Sequence, residues 1–229
     1  MFNRRQLLKT MGAGAVLSFV PYSAIASHAQ SGTRWGMVID LRRCTGCQSC
    51  EVSCAIENNL DEGINRNKVK RLSVGNKDKK SLMVPMQCGQ CEQPTCVPVC
   101  PVDATYKADN GIVVVDYDKC IKCGRCVKAC AYDARSMKGR KSAPEKCNFC
   151  YQRLEAGLLP ACVESCIGSS RVFGDLNNPT SNVSKLLKQN KAFALLAEEK
   201  TSPNVFYIGL PEKLNNKKII KLDEVEWQR

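Results

Sequence analysis

A chain of 229 residues has room for one or two small domains. Its formal charge of +12 would suit a nucleic-acid partner, but that count treats sixteen cysteines, about 7 per cent of the chain, as neutral. The one histidine, His28, lies near the amino terminus and no C-x-x-C-H occurs. The rest of the chain therefore has no imidazole for haem, Rieske or acid–base chemistry, and covalent c-type haem is not expected.

Taken in order, the chain opens on Asn3-Arg4-Arg5-Gln6-Leu7-Leu8-Lys9 and a weakly apolar stretch from Met11 to Ala26. Two small-residue cleavage sites follow, Ala24-Ile25-Ala26 and Ser27-His28-Ala29. This order resembles a twin-arginine signal peptide over residues 1–29, which carries cargo already folded. The apolar stretch is shorter than the ~20 residues of a spanning helix and is broken by Pro21, so cleavage or tethering is favoured over spanning. No other segment is long and apolar enough to span, and membrane contact is expected only through a partner.

Val38-Ile39-Asp40 reads as a strand leading into the first cysteine group, Cys44, Cys47, Cys50 and Cys54, spaced C-x2-C-x2-C-x3-C. Residues 60–81, with Arg66, Lys68, Lys70, Arg71, Lys77, Lys79 and Lys80, read as a solvated basic loop or, more sharply, a docking loop. The second group, Cys88, Cys91, Cys96 and Cys100, reads C-x2-C-x4-C-x3-C. Thr105-Tyr106-Lys107 and Gly111 to Val115 flank an Asn110-Gly111 hairpin signal. The third group, Cys120, Cys123, Cys126 and Cys130, repeats the spacing of the first, and the fourth, Cys147, Cys150, Cys162 and Cys166, reads C-x2-C-x11-C-x3-C. Residues 181–197 carry a helical apolar stripe (Val183, Leu186, Leu187, Phe193, Leu195, Leu196) behind a Ser181 N-cap. Val205 to Ile208 reads as a strand, and the tail beyond Lys213 as a basic interface arm.

The groups repeat internally. Val38-Ile39-Asp40 aligns with Val114-Val115-Asp116 ahead of the two C-x2-C-x2-C loops, and Pro94 to Cys100 matches Pro160 to Cys166. A tight C-x2-C-x2-C turn presents three thiolates to three corners of a cubane, while the fourth cysteine is aimed at a second cluster. Sixteen cysteines in four such groups make four [4Fe–4S] clusters and an electron conductor. Zinc knuckles have no use for a third cysteine at i+6, and disulfide scaffolds do not repeat such spacing, so a non-redox zinc or disulfide module is the weaker alternative. Which groups exchange their fourth cysteine does not follow from spacing: first with second, or nested, both satisfy the repeat.

Four oxidised clusters with their thiolates contribute −8, which brings +12 to +4; without Arg4, Arg5 and Lys9 the charge is near +1. The basic composition thus mostly offsets cluster charge, and no nucleic-acid partner is expected.

The four-group order, with its long insertion between Cys150 and Cys162, resembles the iron–sulfur subunits of the DMSO reductase family of molybdenum enzymes. The likeness is carried by Ile39 through Cys54, Gly111 to Asp116, Leu154 to Cys166 and Thr201 to Tyr207. It implies nested ligation: Cys44, Cys47, Cys50 and Cys166 for one cluster, and Cys54, Cys147, Cys150 and Cys162 for a second. Cys88, Cys91, Cys96 and Cys130 would hold the third, and Cys100, Cys120, Cys123 and Cys126 the fourth. Some relatives have tryptophan at the place of Cys123 and bind [3Fe–4S]; keeping Cys123 implies four cubanes. The implied fold is α+β, with an outer ferredoxin-like module (30–60 and 140–175), an inserted one (82–135) and a C-terminal helix and strand extension (176–229). The chain itself is expected to be non-catalytic. The implied partners are a molybdopterin catalytic subunit and a membrane anchor that oxidises quinol, on the periplasmic side of the inner membrane. Within the family, Thr201 to Tyr207 favours a tetrathionate-reducing system over polysulfide, thiosulfate, DMSO or nitrite.

Overall fold

The computed structural model describes residues 32–74, 80–137 and 143–211. The signal expected in residues 1–29 and the basic tail lie outside them. The fold is α+β with short elements. β1 (Trp35–Asp40) sits inside a four-stranded sheet of order β6-β1-β8-β7. It runs antiparallel to β6 (Arg171–Asp175) and parallel to β8 (Val205–Ile208), with Val38 opposite Val172 and Phe206. β7 (Ala192–Ala194) closes the sheet antiparallel to β8.

Strand alternation gives this sheet two different faces. Val38 and Ile208 pack against Val183, Leu186 and Leu187 of helix α5 (Asn182–Gln189). Met37, Ile39, Phe173 and Tyr207 join the core that contains the cysteines. Phe173 stacks on Trp35 at 5.3 Å and meets Phe149 edge-on at 5.1 Å, which anchors the fourth cysteine group to the sheet.

Short helices lie within three of the cysteine groups: α1 (Ser49–Glu57) carries Cys50 and Cys54, α2 (Arg125–Lys128) carries Cys126, α3 (Tyr151–Glu155) follows Cys150 and α4 (Ala161–Glu164) carries Cys162. Two hairpins complete the fold, β2 (Asn67–Val74) with β3 (Lys80–Gln87), and β4 (Thr105–Lys107) with β5 (Val113–Val115). The second is the one signalled by Asn110-Gly111: Gly111 takes φ +80° and Ala108 closes the turn by donating to the Ile112 carbonyl.

Two expectations need correction. The basic stretch 60–81 is not a solvated loop along its length. β2 and β3 form a hairpin buried on both faces, with Val69 on one and Leu72, Val84 and Met86 on the other, and Arg66 just before it is 8 % exposed. The helix expected over 181–197 ends at Gln189, although its N-cap is where expected, with Ser181 Oγ accepting from Ser184 N at 3.2 Å. Asn190 folds its side chain back onto the Leu186 carbonyl at 3.0 Å, and the chain then enters β7, so Phe193 pairs with Tyr207 as a strand residue. The apolar stripe is shared between a helix and a strand. No helix among the described residues is long and apolar enough to cross a membrane.

The C-terminal residues 200–204 are stitched onto the second cysteine group. Gln93 N and Glu92 N donate to Thr201 and Ser202 carbonyls at 3.1 and 2.9 Å. Asn204 N donates to Gly89 O, and Asn204 Nδ2 to Gln90 O, both at 2.8 Å. Met37 N donates to Asn204 O at 2.9 Å, so one segment ties this group to β1.

Candidate metal centres

Each cysteine loop is shaped by one recurring backbone feature. The residue before the second cysteine is left-handed in all four groups: Gly46 (φ +75°), Gln90 (+48°), Lys122 (+60°) and Phe149 (+54°). For the three non-glycines this costs on the order of 1 kcal/mol each, the kind of strain found where a site needs a fixed geometry. Asp40 and Asp116 prepare the two repeated loops alike. Asp40 Oδ1 accepts from Arg42 N at 3.1 Å, and Asp116 Oδ1 from Asp118 N and Lys119 N at 3.0 and 3.1 Å.

The sulfurs gather in sets of three plus one. Cys44, Cys47 and Cys50 line a small cavity together with Cys166, which comes from the far end of the cysteine-rich region. Cys147, Cys150 and Cys162 line another with Cys54. Cys120, Cys123 and Cys126 line a third with Cys100. The remaining four also come together: Cys91 feels the charges of Cys88, Cys96 and Cys130. Thus all sixteen cysteines fall into four sets, and every set borrows one member from another group. The second set is wholly buried, whereas Cys123 is exposed and Cys44, Cys47 and Cys166 are half-buried.

Burial, reinforced by neighbouring thiolates, pushes the Cys54 and Cys91 thiols up to about 12. Cys162 is likewise pushed up to about 11. At the more open sites burial is outweighed. Donors from Ser49 and Thr45 hold Cys47 below its usual value, and backbone N–H groups of Thr105, Val102 and Ala104 do so for Cys100. Further donors reach sulfur directly: Ser170 N to Cys166 at 3.2 Å, Phe149 N to Cys147 at 3.4 Å, and Asn58 Nδ2 to Cys54 and Cys150 at 3.6 and 3.8 Å. Such hydrogen bonds favour thiolate ligands and set the potential of what they bind.

Sequence reasoning missed the cations that surround the sulfurs. Arg135, Lys146 and Arg171 are 5, 1 and 3 % exposed, and among the described residues none pairs with a carboxylate. Arg171 Nη1 lies 3.7 Å from Cys162 Sγ, and Arg135 Nη2 donates to Cys96 Sγ at 3.1 Å. Lys146 donates to the carbonyls of Val113 and Cys147. Burial pushes its ammonium down, while nearby Cys88, Cys147 and Cys96 pull it back up. Arg171 Nε is buried with no hydrogen-bond partner among the described residues. Isolated buried charge is costly, so three such groups beside the sulfurs call for anions there. Clusters with four thiolates are anionic, and this donor set fits them. One signal was legible in retrospect: both arginines stand five residues after the last cysteine of a group, Cys130 to Arg135 and Cys166 to Arg171.

The fold and the four sulfur sets define a ferredoxin-like protein for [4Fe–4S] clusters, four by the count of its cysteines. Comparison with known proteins narrows the class. The 4Fe-4S dicluster domain family matches residues 79–176. The chain is 43% identical to a tetrathionate reductase subunit of Salmonella typhimurium, over 99% of this chain and 96% of the relative. It is 38% identical to a selenate reductase subunit of Mesobacillus selenatarsenatis, over 76% of this chain and 72% of the relative. It is 34% identical to the arsenate respiratory reductase iron-sulfur subunit ArrB of a Shewanella species, over 76% of this chain and 96% of the relative. The chain belongs to the iron–sulfur, electron-transferring subunits of the molybdopterin oxidoreductase family.

Proposed function

We propose that the four sets are the ligand sets of four clusters: Cys44, Cys47, Cys50 and Cys166; Cys54, Cys147, Cys150 and Cys162; Cys88, Cys91, Cys96 and Cys130; Cys100, Cys120, Cys123 and Cys126. The reading is supported by the three-plus-one gathering of sulfurs, around separate cavities in three of the four sets and by mutual charge effects in the fourth. Bound, each cluster accepts and passes on one electron at a time. The chain's residues fix the sulfurs, donate hydrogen bonds to them and keep water from the buried sets. In this arrangement the first two sets belong to an outer module and the other two to a module inserted within it.

The row relays electrons from a quinol-oxidising membrane anchor to a molybdopterin catalytic subunit, without chemistry on this chain. The oxidant is tetrathionate, which the catalytic subunit reduces with two electrons to two thiosulfates. Support comes from the near full-length likeness to the Salmonella relative. The twin-arginine segment in residues 1–29 exports the loaded chain to the periplasmic side, where it is held at the membrane by its partner.

Anaerobic iron and sulfide analysis with EPR tests the ligation. The wild type should hold about sixteen irons, four per cubane. Cys166→Ser and Cys47→Ser should erase the same EPR signal, and Cys54→Ser a different one that it shares with Cys162→Ser. If Cys166→Ser instead erased the signal lost in Cys54→Ser, the nested ligation would be wrong. The co-purified catalytic subunit, assayed with tetrathionate, selenate and arsenate, tests the oxidant; turnover with another oxidant and none with tetrathionate would sink that assignment.

A further inference from the structure

Two buried arginines with no carboxylate partner among the described residues stand beside the two pairs of sulfur sets. Arg171 opens β6 and touches both sets of the first pair. It lines the cavity of Cys44, Cys47, Cys50 and Cys166, and its Nη1 lies 3.7 Å from Cys162 of the other. Its guanidinium is held by Gln87 Oε1 and, at 3.4 Å, by Asn67 Oδ1, both side chains themselves buried. Arg135 stands beside the second pair. Its Nη2 donates to Cys96 at 3.1 Å, and the charges of Cys88 and, in the neighbouring set, Cys126 act on it. Its Nη1 donates to Thr105 Oγ1 at 3.3 Å, and Thr105 lines the cavity of Cys126.

A guanidinium cannot lose its proton in a protein, so each is a fixed charge. Neither has a carboxylate beside it among the described residues to cancel that charge. Adding an electron to a cluster makes its site more negative, which a fixed cation favours and a neighbouring reduced cluster opposes. One cation shared by two sites acts on both effects.

We propose that Arg171 and Arg135 are potential-setting positioning residues, one for each pair of clusters, raising both potentials in the pair and easing the passage of an electron between them. The proposal rests on the ligand sets proposed above. Its other basis is independent of them: a cation with no carboxylate is placed between two groups of thiols.

The test is an EPR-monitored redox titration of the full complex carrying Arg171→Gln, Arg135→Gln, or the charge-preserving Arg171→Lys and Arg135→Lys. Lys188→Gln, on the exposed side of α5, is the control. At the short range of these contacts, removing one charge should lower the reduction constants of two clusters by at least about tenfold, or about 59 mV for one electron. Arg171→Gln should move one pair and Arg135→Gln the other, while the Lys variants and the control stay near wild type. Gln variants with full iron and unmoved potentials, or all four clusters moved alike, would overturn the proposal. If the Gln variants load no iron, the Lys variants decide. Wild-type potentials in them support a role for the charge; lost iron or lowered potentials in them assign the arginines to assembly geometry and overturn it. Iron in the wild type is measured first: fewer than about sixteen atoms would be a failure of the ligand sets rather than of this inference.

Discussion

Arg66 lies in a stretch whose sequence suggested solvent, yet it forms the centre of a buried polar chain beneath the second sulfur set. Its Nη2 lies 2.7 Å from Glu145 Oε2, and the two side chains are 7 and 4 % exposed. Its Nη1 donates to Asn58 Oδ1 at 2.7 Å, and Asn58 Nδ2 in turn reaches the sulfurs of Cys54 and Cys150. Among the described residues, Arg66→Ala would leave the buried Glu145 carboxylate with the Tyr117 hydroxyl, at 3.0 Å, as its side-chain partner. At an effective dielectric constant of about 20, a 2.7 Å pair attracts by roughly 6 kcal/mol, partly cancelled by desolvation. Breaking such a pair costs about 3–5 kcal/mol, a large share of the 5–15 kcal/mol that typically holds a domain together. Since cluster loss makes unfolding irreversible, the assay is the unfolding rate, followed anaerobically by far-UV circular dichroism and the visible cluster band. The variant should unfold on the order of a hundred times faster. Arg66→Met with Glu145→Leu should recover most of the loss, because it removes both charges and fills the space. A single variant unfolding within about fivefold of the wild-type rate, or a double variant no slower than the single, would refute the reasoning.

Two further substitutions probe the first sulfur set. Asp40, which caps the 3-10 turn Leu41–Arg43 ahead of Cys44, is held below its ordinary 3.8 by the Arg42 side chain, which outweighs its burial. Its contribution is complete above pH 3.8 and is lost as the pH falls through the lower folded value, so Asp40→Asn should be less stable by about 1 kcal/mol at pH 7 and equal to wild type in stronger acid. A stability gap between the two proteins that is the same at both pH values would count against this. Gly168→Ala would drive a methyl group into the Arg43 carbonyl oxygen, a backbone atom that cannot swing away. Because Gly168 and Arg43 both line the first cavity, the variant should lose the EPR signal that Cys47→Ser loses while keeping the other three; normal loading would show that the loop yields more easily than the contact implies.

Much of the fold was legible because cysteine spacing and strand alternation are local signals. Val38 to Asp40, the Asn110-Gly111 hairpin, the Ser181 cap and Val205 to Ile208 all formed as read. The backbone of the loops was less legible. Gly46 announces a left-handed residue, but Gln90, Lys122 and Phe149 take the same conformation with no local preference for it, imposed by the geometry of the sulfurs. The β2–β3 hairpin was hidden because β2 shows no apolar alternation: its buried Val69 and Leu72 lie on opposite faces, with Lys70 and Arg71 between them. Arg171 could not have been told from a surface arginine, since its burial depends on Gln87 and Asn67, about a hundred residues earlier in the chain. Only the repeated five-residue offset from the last cysteine hinted that it belongs to the site.

The charge of the chain also looks different once its interior is known. Among the described residues the buried cations are Arg66, Arg135, Lys146 and Arg171, whereas the buried carboxylates are Asp40 and Glu145. Glu145 is taken by Arg66, and Asp40 by Arg42. Three cations therefore stand unpaired in an interior where apolar side chains of the same size would be more stable. The same interior holds thiols that burial keeps from ionising, with Cys54 and Cys91 up at about 12. An anionic cluster relieves both penalties at once: its iron core draws the protons off the thiols, and its net charge meets the cations. Neither penalty is relieved in the empty chain, so folding and cluster insertion form one coupled equilibrium. A chain that is stable only around its clusters must receive them as it folds, so the export proposed above would require a route that carries folded cargo.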